Sequence, residues 1–380
     1  MTAETSRFFD TRAAYILFAN ATTEKAVVGE RVGREVDHLH PRPPGLRVFD
    51  AGMGDASVLT QVLRKMHTVF PHIPWTVVGK EISIEDVRQA LVKLPDRFYE
   101  HPEMVFVVTN MTFREATRLC PDDVSRLRWR DIALRGSTAH EFATQIQDLL
   151  ESLADDWEVT TSPRTGNPVY VNPAVVVMYR ADHEFILRSL IPSPEGPRPA
   201  YDLVIAAQPY RAAAPLESKV RNVIAPLAES LRTGGRLIGI HSTGRDPGME
   251  IIRQVWPDED PFRHGGKDIV DELRRQVDDP ELEVVPQSDD EAAFRFEMHY
   301  LPSEDAEHIG TSSLLATWNA ATYVAQIDER RLSEAMHSFA WEDAVRRVME
   351  REPRIWFEDE AYVIRRRDQA VENSANAATE

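Results

Sequence analysis

A short apolar strand followed by two closely spaced glycines constrains this chain more than any other feature. The apolar run L-R-V-F that starts at Leu46 predicts the end of a buried strand. Gly52 and Gly54 then permit a tight turn and a close approach of the backbone to a ligand. A dinucleotide fingerprint requires a third glycine three residues later, where this chain has Ser57. The sequence therefore predicts a strand–turn–helix ligand site that is not built for a pyrophosphate.

Acidic side chains flank this turn. Asp50 ends the predicted strand, and Asp55 directly follows Gly54. A pyrophosphate binds bare backbone N–H groups at a helix N-terminus, whereas a carboxylate attracts a cation. The two acids therefore favour a ligand that carries positive charge. An ordinary strand-to-helix turn without a ligand is the alternative.

A second strand with an acid at its tip follows. Residues 75–79 predict this strand, and Glu81 comes just after it. In nucleotide-type folds, an acid at this place accepts two hydrogen bonds from ribose hydroxyls, which a neutral residue matches poorly. The alternative is a solvated glutamate beside Lys80. Apolar runs at residues 104–108 and 201–207 predict two further core strands, and residues 231–241 predict a helix end, a Gly-Gly turn and another strand.

The D-x-G-x-G pattern together with Glu81 resembles the motifs of class I S-adenosylmethionine (AdoMet) methyltransferases. The resemblance implies an α/β protein with a Rossmann-like, seven-stranded sheet that binds S-adenosyl-L-methionine, with the adenine next to the end of the third strand. The cofactor-binding residues that it implies are Asp50, Gly52, Gly54, Asp55, Glu81, Ser83, Asn110 and Met111.

Composition narrows the classes of partner. The 380 residues carry a formal net charge of -18, which argues against a nucleic-acid substrate because phosphate binding needs a basic surface. Small cationic or amine substrates fit this charge better. A single cysteine excludes a disulfide framework and a Cys-based zinc site. With neither a signal-peptide pattern nor a run of about eighteen apolar residues, we expect a cytoplasmic enzyme without membrane contact or metal.

The segment ahead of the sheet predicts two helices that are separated at residues 20–23. Tyr15 and Phe18 lie on one side of the first helix, and Thr22 or Thr23 is the candidate cap of the second. Glu24 falls in the first turn of that second helix, where a carboxylate complements the helix dipole. This structural role is a sufficient explanation by itself.

The same segment, F-A-N-A-T-T-E-K, resembles the F-x-N-x-S-T-E-H pattern of the histamine N-methyltransferase family. The resemblance continues at residues 58–66 and 70–71, at the serine that follows the second strand, at W-N-A-A (residues 318–321, against F-N-A-T) and at a closing strand over residues 355–364. It implies that Glu24, Gln208 and Asn319 contact an amine-bearing substrate. Tyr15 and Phe18 belong to the same substrate segment.

The sequence after the fourth strand departs from that family. Gln208-Pro209-Tyr210-Arg211 loosely resembles the N-P-P-Y motif of amino-group methyltransferases, in which an amide and a prolyl carbonyl align the acceptor lone pair on the methyl group. Gln208 and Tyr210 would then contact the substrate. A proline that merely ends a strand is the alternative.

Two further residues are candidates for the substrate site. His241 follows the fifth strand at the sheet edge where ligands bind, either as a general base or as a hydrogen-bonded structural residue. Trp256 lies in an irregular stretch that we expect to line the substrate pocket. Residues 282–285 and 294–300 predict a final antiparallel pair of strands.

Residues 112–199 form an insertion between the third and fourth strands. The capping box Thr138-x-x-Glu141 predicts a helix through about Leu153, and Gly166 and Asn167 predict a hairpin turn. Residues 174–179 are apolar enough to be the third core strand in place of 104–108, and the sequence leaves this open. The insertion would cap the active site or form a homodimer contact.

We therefore expect four parts: a helical lid (1–45), a methyltransferase core (46–111 and 200–367), an inserted α+β subdomain (112–199) and a disordered tail (368–380). The expected reaction is AdoMet-dependent methyl transfer to a nitrogen of a small polar molecule, oriented by Glu24, Gln208 and Asn319. O-methylation with His241 as base and a non-catalytic AdoMet-binding module are the alternatives. A Rossmann oxidoreductase is disfavoured by Ser57 and by the acidic turn.

Overall fold

The protein is built on a sheet whose strands follow the apolar runs of the sequence. The computed structural model describes residues 12–163, 166–299, 311–338, 340–352 and 354–368. The strands are β1 (Leu46–Asp50), β2 (Trp75–Lys80), β3 (Met104–Thr109), β4 (Arg128–Leu134), β5 (Val159–Thr161), β6 (Pro168–Tyr170), β7 (Ala174–Arg180), β8 (Tyr201–Ala207), β9 (Leu231–Ser242), β10 (Leu282–Val285), β11 (Ala293–Glu297) and β12 (Trp356–Arg366).

Helices cover both faces of this sheet. They are α1 (Arg12–Ala21), α2 (Glu24–Val36), α3 (Ser57–Val69), α4 (Ile84–Val92), α5 (Leu94–Glu100), α6 (Phe113–Ala116), α7 (Ala139–Leu153), α8 (Glu184–Leu187), α9 (Leu216–Lys219), α10 (Ala225–Glu229), α11 (Pro247–Val255), α12 (Gly266–Gln276), α13 (Asp289–Ala292), α14 (Thr311–Val324), α15 (Glu329–Ser338) and α16 (Ala340–Met349). Among the described residues, none of these helices is long and apolar enough to cross a membrane.

The strand order establishes a Rossmann-like α/β fold, as the sequence predicts. The sheet runs β10-β12-β9-β8-β1-β2-β3-β7-β4, with β11 also paired to β12. Strands β3, β2, β1, β8 and β9 are parallel, and β12 is antiparallel to β9. The order changes direction between β1 and β8, which is where ligands bind in open α/β sheets. Since β3 lies parallel to β2, residues 104–108 are the third core strand.

The insertion widens this sheet. Its strand β7 is antiparallel to β3, and β4 is parallel to β7. These two strands are added at the β3 edge of the expected seven-stranded sheet. Helix α7 begins at the predicted capping box, and its Phe142 and Ile146 pack into the same hydrophobic core as β1 and β3. β5 and β6 form the predicted hairpin. The insertion therefore shares the main core, and its role as cap or dimer contact stays a prediction.

The end of the chain differs from the sequence prediction. The expected pairing of residues 282–285 with 294–300 is wrong, because β10 and β11 each pair with β12 instead of with each other. β12 is long enough to hold β11 along its first half, β10 along its second half and β9 on its other side. The predicted tail lies almost wholly outside the described residues.

Contacts with the C-terminal half of the chain hold α1 and the start of α2. Phe18 of α1 stacks on Tyr323 of α14, with ring centroids 4.5 Å apart. The hydroxyl of Thr23 makes no helix-capping bond, because it accepts the backbone N–H of Glu297 at 2.9 Å. α2 therefore begins beside the end of β11, which places Glu24 at the edge of the sheet.

Candidate active site

The turn after β1 has the open geometry that a ligand needs. Gly54 has φ +53°, a conformation that favours glycine. A Cβ atom built on Gly52 would meet nothing within 4 Å, so open space lies beside this turn. The backbone N–H of Gly52 donates to Oδ1 of Asp50 at 3.2 Å. Burial raises the pKa of Asp50 to about 7, although this hydrogen bond opposes the shift.

Glu81 connects the ends of β1 and β2. Its Oε2 accepts the backbone N–H of Gly54 at 2.9 Å, and its Oε1 accepts those of Ile82 and Ser83 at 2.7 and 2.8 Å. The predicted cofactor residue Ser83 caps α4 through its hydroxyl, which accepts the N–H of Asp86. Glu81 is thus a fixed carboxylate at the turn, rather than the solvated side chain considered as its alternative.

Asp55 is already paired with a cation of the protein. Lys93 Nζ donates to Oδ2 and to the carbonyl of Asp55, both at 2.7 Å, and to the Ser57 hydroxyl at 2.8 Å. Burial would raise the pKa of Asp55, but the hydrogen bonds from Lys93 and Ser57 lower it to about 2. The carboxylate that the sequence assigns to the ligand therefore fixes the turn itself.

The two residues expected near the adenine lie where β3 meets the insertion. The side chain of Asn110 donates to the carbonyls of Asp156 and Asn172 and accepts the N–H of Ala174. Met111 is fully buried in the core. Asn110 thus has a structural role in joining the insertion to the sheet edge.

Gln208 directly follows β8 and has a left-handed backbone conformation, with φ +49°. Its Nε2 donates to the Ser242 hydroxyl at 3.0 Å and to Oδ1 of Asp359 at 3.4 Å. Non-glycine residues in this region of φ cost energy and concentrate at functional sites. Because Gln208 comes directly after β8, its amide lies at the carboxyl edge of the sheet, next to the change of strand order between β1 and β8.

Glu24 is buried at the start of α2, with 6% of its surface exposed. Its Oε2 lies 3.0 Å from Nζ of Lys25. Burial lowers the pKa of Lys25, but the charge of Glu24, its hydrogen bond and the charges of Tyr323 and Asp55 together outweigh burial and leave the pKa above its usual value. The Lys25 charge also acts on Asp50 and Asp359, so α2 carries a cation near both the turn after β1 and the first residues of β12.

Asn319 contacts the N-terminal helix α1. Its Nδ2 donates at 3.0 Å to the carbonyl of Ala14, the residue before Tyr15. The Tyr15 ring lies 6.0 Å from that of Tyr323 and 5.5 Å from Lys25 Nζ. Burial, followed by the charge of Asp55, raises the pKa of Tyr15. The Tyr15 hydroxyl lies 3.8 Å from the position of a Cβ atom on Gly54, so Tyr15 is next to the glycine turn, whereas Asn319 contacts the residue before Tyr15.

His241 is held at both ring nitrogens. Nδ1 lies 2.9 Å from the Tyr210 hydroxyl, and Nε2 lies 2.8 Å from Oε1 of Glu360. Glu360 also accepts the N–H of Gly266, the first residue of α12. Trp256, which the sequence predicts to line the substrate pocket, stacks on Trp318 with ring centroids 5.7 Å apart. Two of the predicted substrate residues, Tyr210 and His241, therefore form one hydrogen-bonded chain with Glu360.

Two residues of this site escape the sequence analysis. Asp359 lies within the predicted closing strand, and Lys25 follows Glu24. The sequence contains one signal for Asp359, the triplet E-D-E inside an apolar strand. Because side chains alternate along a strand, the middle acid points to the opposite face of the sheet from its two neighbours. Within the described part of the chain, no group of three or more candidate metal ligands lies together.

Comparisons with known proteins give structural likenesses only. No family model and no curated protein matches the sequence. Similar solved structures include a loganic acid methyltransferase with SAH (11% identity, TM-score 0.39, covering 92% of this chain and 93% of that chain). A geranyl diphosphate methyltransferase in complex with SAM has 11% identity and a TM-score of 0.34, covering 90% of each chain. Phosphoethanolamine N-methyltransferase 2 of Haemonchus contortus in complex with S-adenosyl-L-methionine has 9% identity and a TM-score of 0.33, covering 96% of this chain and 59% of that chain. Because all three TM-scores are low, the fold assignment rests on the sheet topology of this chain.

Proposed function

We propose that the protein is an AdoMet-dependent methyltransferase. The observation that carries the proposal is the link between Gly54 and Glu81, which places a fixed carboxylate beside an open glycine turn at the change of strand order. A carboxylate has about four acceptor positions, of which backbone N–H groups occupy three in Glu81. A ribose hydroxyl fits the remaining position. The similar structures described with SAM or SAH are consistent with this choice of cofactor.

The charge of the turn supports AdoMet over a dinucleotide. Asp50 is a buried carboxylate whose pKa is raised to about 7, and a bound cation would favour its ionised form. A pyrophosphate at the same place would meet Asp50 and Glu81 as like charges. AdoMet supplies a methyl group on a sulfonium, and the residues of this chain bind it and orient the acceptor.

The acceptor we propose is a nitrogen of a small polar molecule. Transfer to an amine requires a neutral lone pair held about 3 Å from the methyl carbon, so orientation is the main task of the protein. Asp359 interacts with both Glu24 and Gln208. It accepts a hydrogen bond from Gln208, and burial together with the charge of Glu24 raises its pKa. Asn319 is held against α1 one residue from Tyr15. These contacts support convergence of the three residues on one acceptor site.

O-methylation is the second candidate, favoured by the chain Tyr210–His241–Glu360. Glu360 holds one ring nitrogen of His241, and the other faces the Tyr210 hydroxyl. In this arrangement His241 takes a proton from an acceptor hydroxyl only through Tyr210, or after Tyr210 moves away. Methylation of an amine does not depend on His241 as the base, and we therefore prefer it.

Incubation with methyl-labelled AdoMet and a metabolite extract tests this proposal. Mass spectrometry should find a labelled small molecule whose label sits on nitrogen. A label on oxygen supports the second candidate, and label transfer to neither acceptor contradicts both.

A further inference from the structure

Asp359 is a carboxylate that the protein leaves without a cation in direct contact. It is fully buried, and its Oδ1 accepts hydrogen bonds from Ser242 at 2.8 Å and from Gln208 at 3.4 Å. Its Oδ2 is buried and has no hydrogen-bond partner, and no ion pair to Asp359 occurs among the described residues. A buried carboxylate in this state is costly, because desolvation is not repaid by an opposite charge.

The charged groups that face Asp359 belong to two neighbouring segments. α2 contributes Glu24 and Lys25, and the residue before α11 is Asp246. Lys25 is in contact with Glu24, so its charge is already engaged there. Asp246 uses its carboxylate to accept the N–H groups of Met249 and Glu358. Oε2 of Glu24, which also lacks a hydrogen-bond partner, lies at ion-pair distance from Lys25, whereas Oδ2 of Asp359 has neither a hydrogen bond nor an ion pair among the described residues.

The place of Asp359 in the fold is that of a ligand contact. It pairs across the sheet with Ser242, at the carboxyl end of β9. Gln208, at the carboxyl end of β8, adopts its left-handed conformation while donating to the same carboxylate. The charge of Lys25 acts on both Asp50 and Asp359, so the unpartnered oxygen belongs to the same group of charges as the glycine turn.

We propose that Oδ2 of Asp359 binds the ammonium group of the methyl acceptor and takes its proton. This proposal rests on the proposed function, and it assigns the contact to Asp359 because Glu24 already has a cation. The N–H bond of the ammonium breaks, an O–H bond forms on Asp359, and the nitrogen keeps the electron pair that attacks the methyl group. The proton then passes from Asp359 to solvent as the methylated product leaves.

Matched pairs of small molecules test this assignment by calorimetry on the full chain saturated with S-adenosylhomocysteine. The probes are 2-phenylethylamine against 2-phenylethanol, 1,4-diaminobutane against 1,4-butanediol, and choline against 3,3-dimethylbutan-1-ol. At least one primary amine should bind, and its alcohol about tenfold or more weakly. Asp359→Asn should weaken amine binding about ten- to a hundredfold, the range for losing a charged hydrogen bond.

Glu358→Gln is the matched control, because the neighbouring Glu358 is engaged by Thr243 and Arg245. It should leave amine binding unchanged. A second measurement needs no variant: at pH 7, near the pKa of Asp359, binding of a primary amine to the wild-type protein should release about half a proton. Two buffers of different ionisation enthalpy report this release.

The inference is overturned by any of three results: no amine binds, an alcohol binds as well as its amine, or Asp359→Asn binds the amine as the wild type does. AdoMet binding is measured separately on both proteins. Failure of AdoMet to bind the wild type contradicts the proposed function. If both proteins bind AdoMet normally and bind the amine with equal affinity, this inference alone is contradicted.

Discussion

The backbone N–H of Gly54 donates a hydrogen bond of 2.9 Å to Oε2 of Glu81, and this contact joins the turn after β1 to the tip of β2. The two residues are 27 positions apart in the chain. The carboxylate also fixes the N–H groups of Ile82 and Ser83, so one side chain shapes both loops at the edge of the sheet.

Glu81→Gln should weaken AdoMet binding by about 1–3 kcal/mol, the range for losing hydrogen bonds to a charged acceptor. Both oxygens of Glu81 accept backbone N–H groups, whereas the amide nitrogen of glutamine is a donor and cannot accept one. Calorimetric titration with AdoMet measures the effect. Glu85→Gln, an exposed acid in the first turn of α4, should bind like the wild type. Equal affinities of all three proteins would contradict the role given to Glu81.

Gly52→Ala should weaken AdoMet binding about tenfold or more without lowering the melting temperature. The added Cβ enters the open space beside the turn, where it meets no atom of the protein within 4 Å. The test compares thermal unfolding without ligand against AdoMet affinity. Gly33→Ala on α2, whose Cβ would make an ordinary contact with Lys65, is the control. A Gly52→Ala protein that binds AdoMet normally would show that this space does not hold the cofactor.

Lys93→Met should destabilise the protein at pH 6 more than at pH 3. Asp55 has a pKa of about 2 in the folded chain, below its ordinary value of about 3.9, so its pairing stabilises the fold above pH 4. That contribution is lost as the pH falls toward 2. Melting temperatures of both proteins at the two pH values measure it. Lys65→Met, which breaks an exposed pair with Asp37, should have little effect. A Lys93→Met effect that is independent of pH would be inconsistent with a stabilising Lys93–Asp55 ion pair.

Glu24→Gln should lower kcat/KM about ten- to a hundredfold while AdoMet affinity changes little. A contact that orients the acceptor in the transition state affects catalysis rather than cofactor binding. The assay uses the acceptor found by methyl labelling. Glu30→Gln, on the exposed side of the same helix, is the control. Unchanged turnover in Glu24→Gln would leave only the generic methyltransferase proposal.

Features set by local sequence could be predicted. The helix that begins at Thr138 follows from a capping box within four residues, and the structure has both of its hydrogen bonds. The strands ending at Asp50 and Lys80 follow from apolar runs and their turns. Strand partners could not be predicted in the same way. β12 holds β10 and β11 by pairing across about 60 to 80 residues, and nothing in the short strands specifies that partner.

The candidate site shows the same division. The sequence alone indicates Asp50, Gly52 and Glu81, because each lies at the end of a predicted strand or within two residues of it. Asp359 was missed because its partner Gln208 lies 151 residues away. The charge of Asp55 was assigned to a ligand because its partner, Lys93, enters from the end of α4. Burial and partnership, which decide what a carboxylate does, are properties of the fold.

The structure also changes what we expect of the insertion. Because the predicted cofactor motifs lie outside residues 112–199, the sequence alone predicts that this insertion is dispensable for AdoMet binding. However, Trp157 Nε1 donates to the carbonyl of Glu81 at 3.0 Å, and β7 covers the edge of β3. Removing the insertion would expose that edge and release this contact, so the insertion supports the cofactor turn from one side.

Calorimetric titration of the wild-type protein with AdoMet, S-adenosylhomocysteine and NAD tests the central claim most directly. The acidic turn and the Glu81 link predict that AdoMet and S-adenosylhomocysteine bind at one site per chain and that NAD does not bind. Binding of NAD without binding of AdoMet would contradict the account.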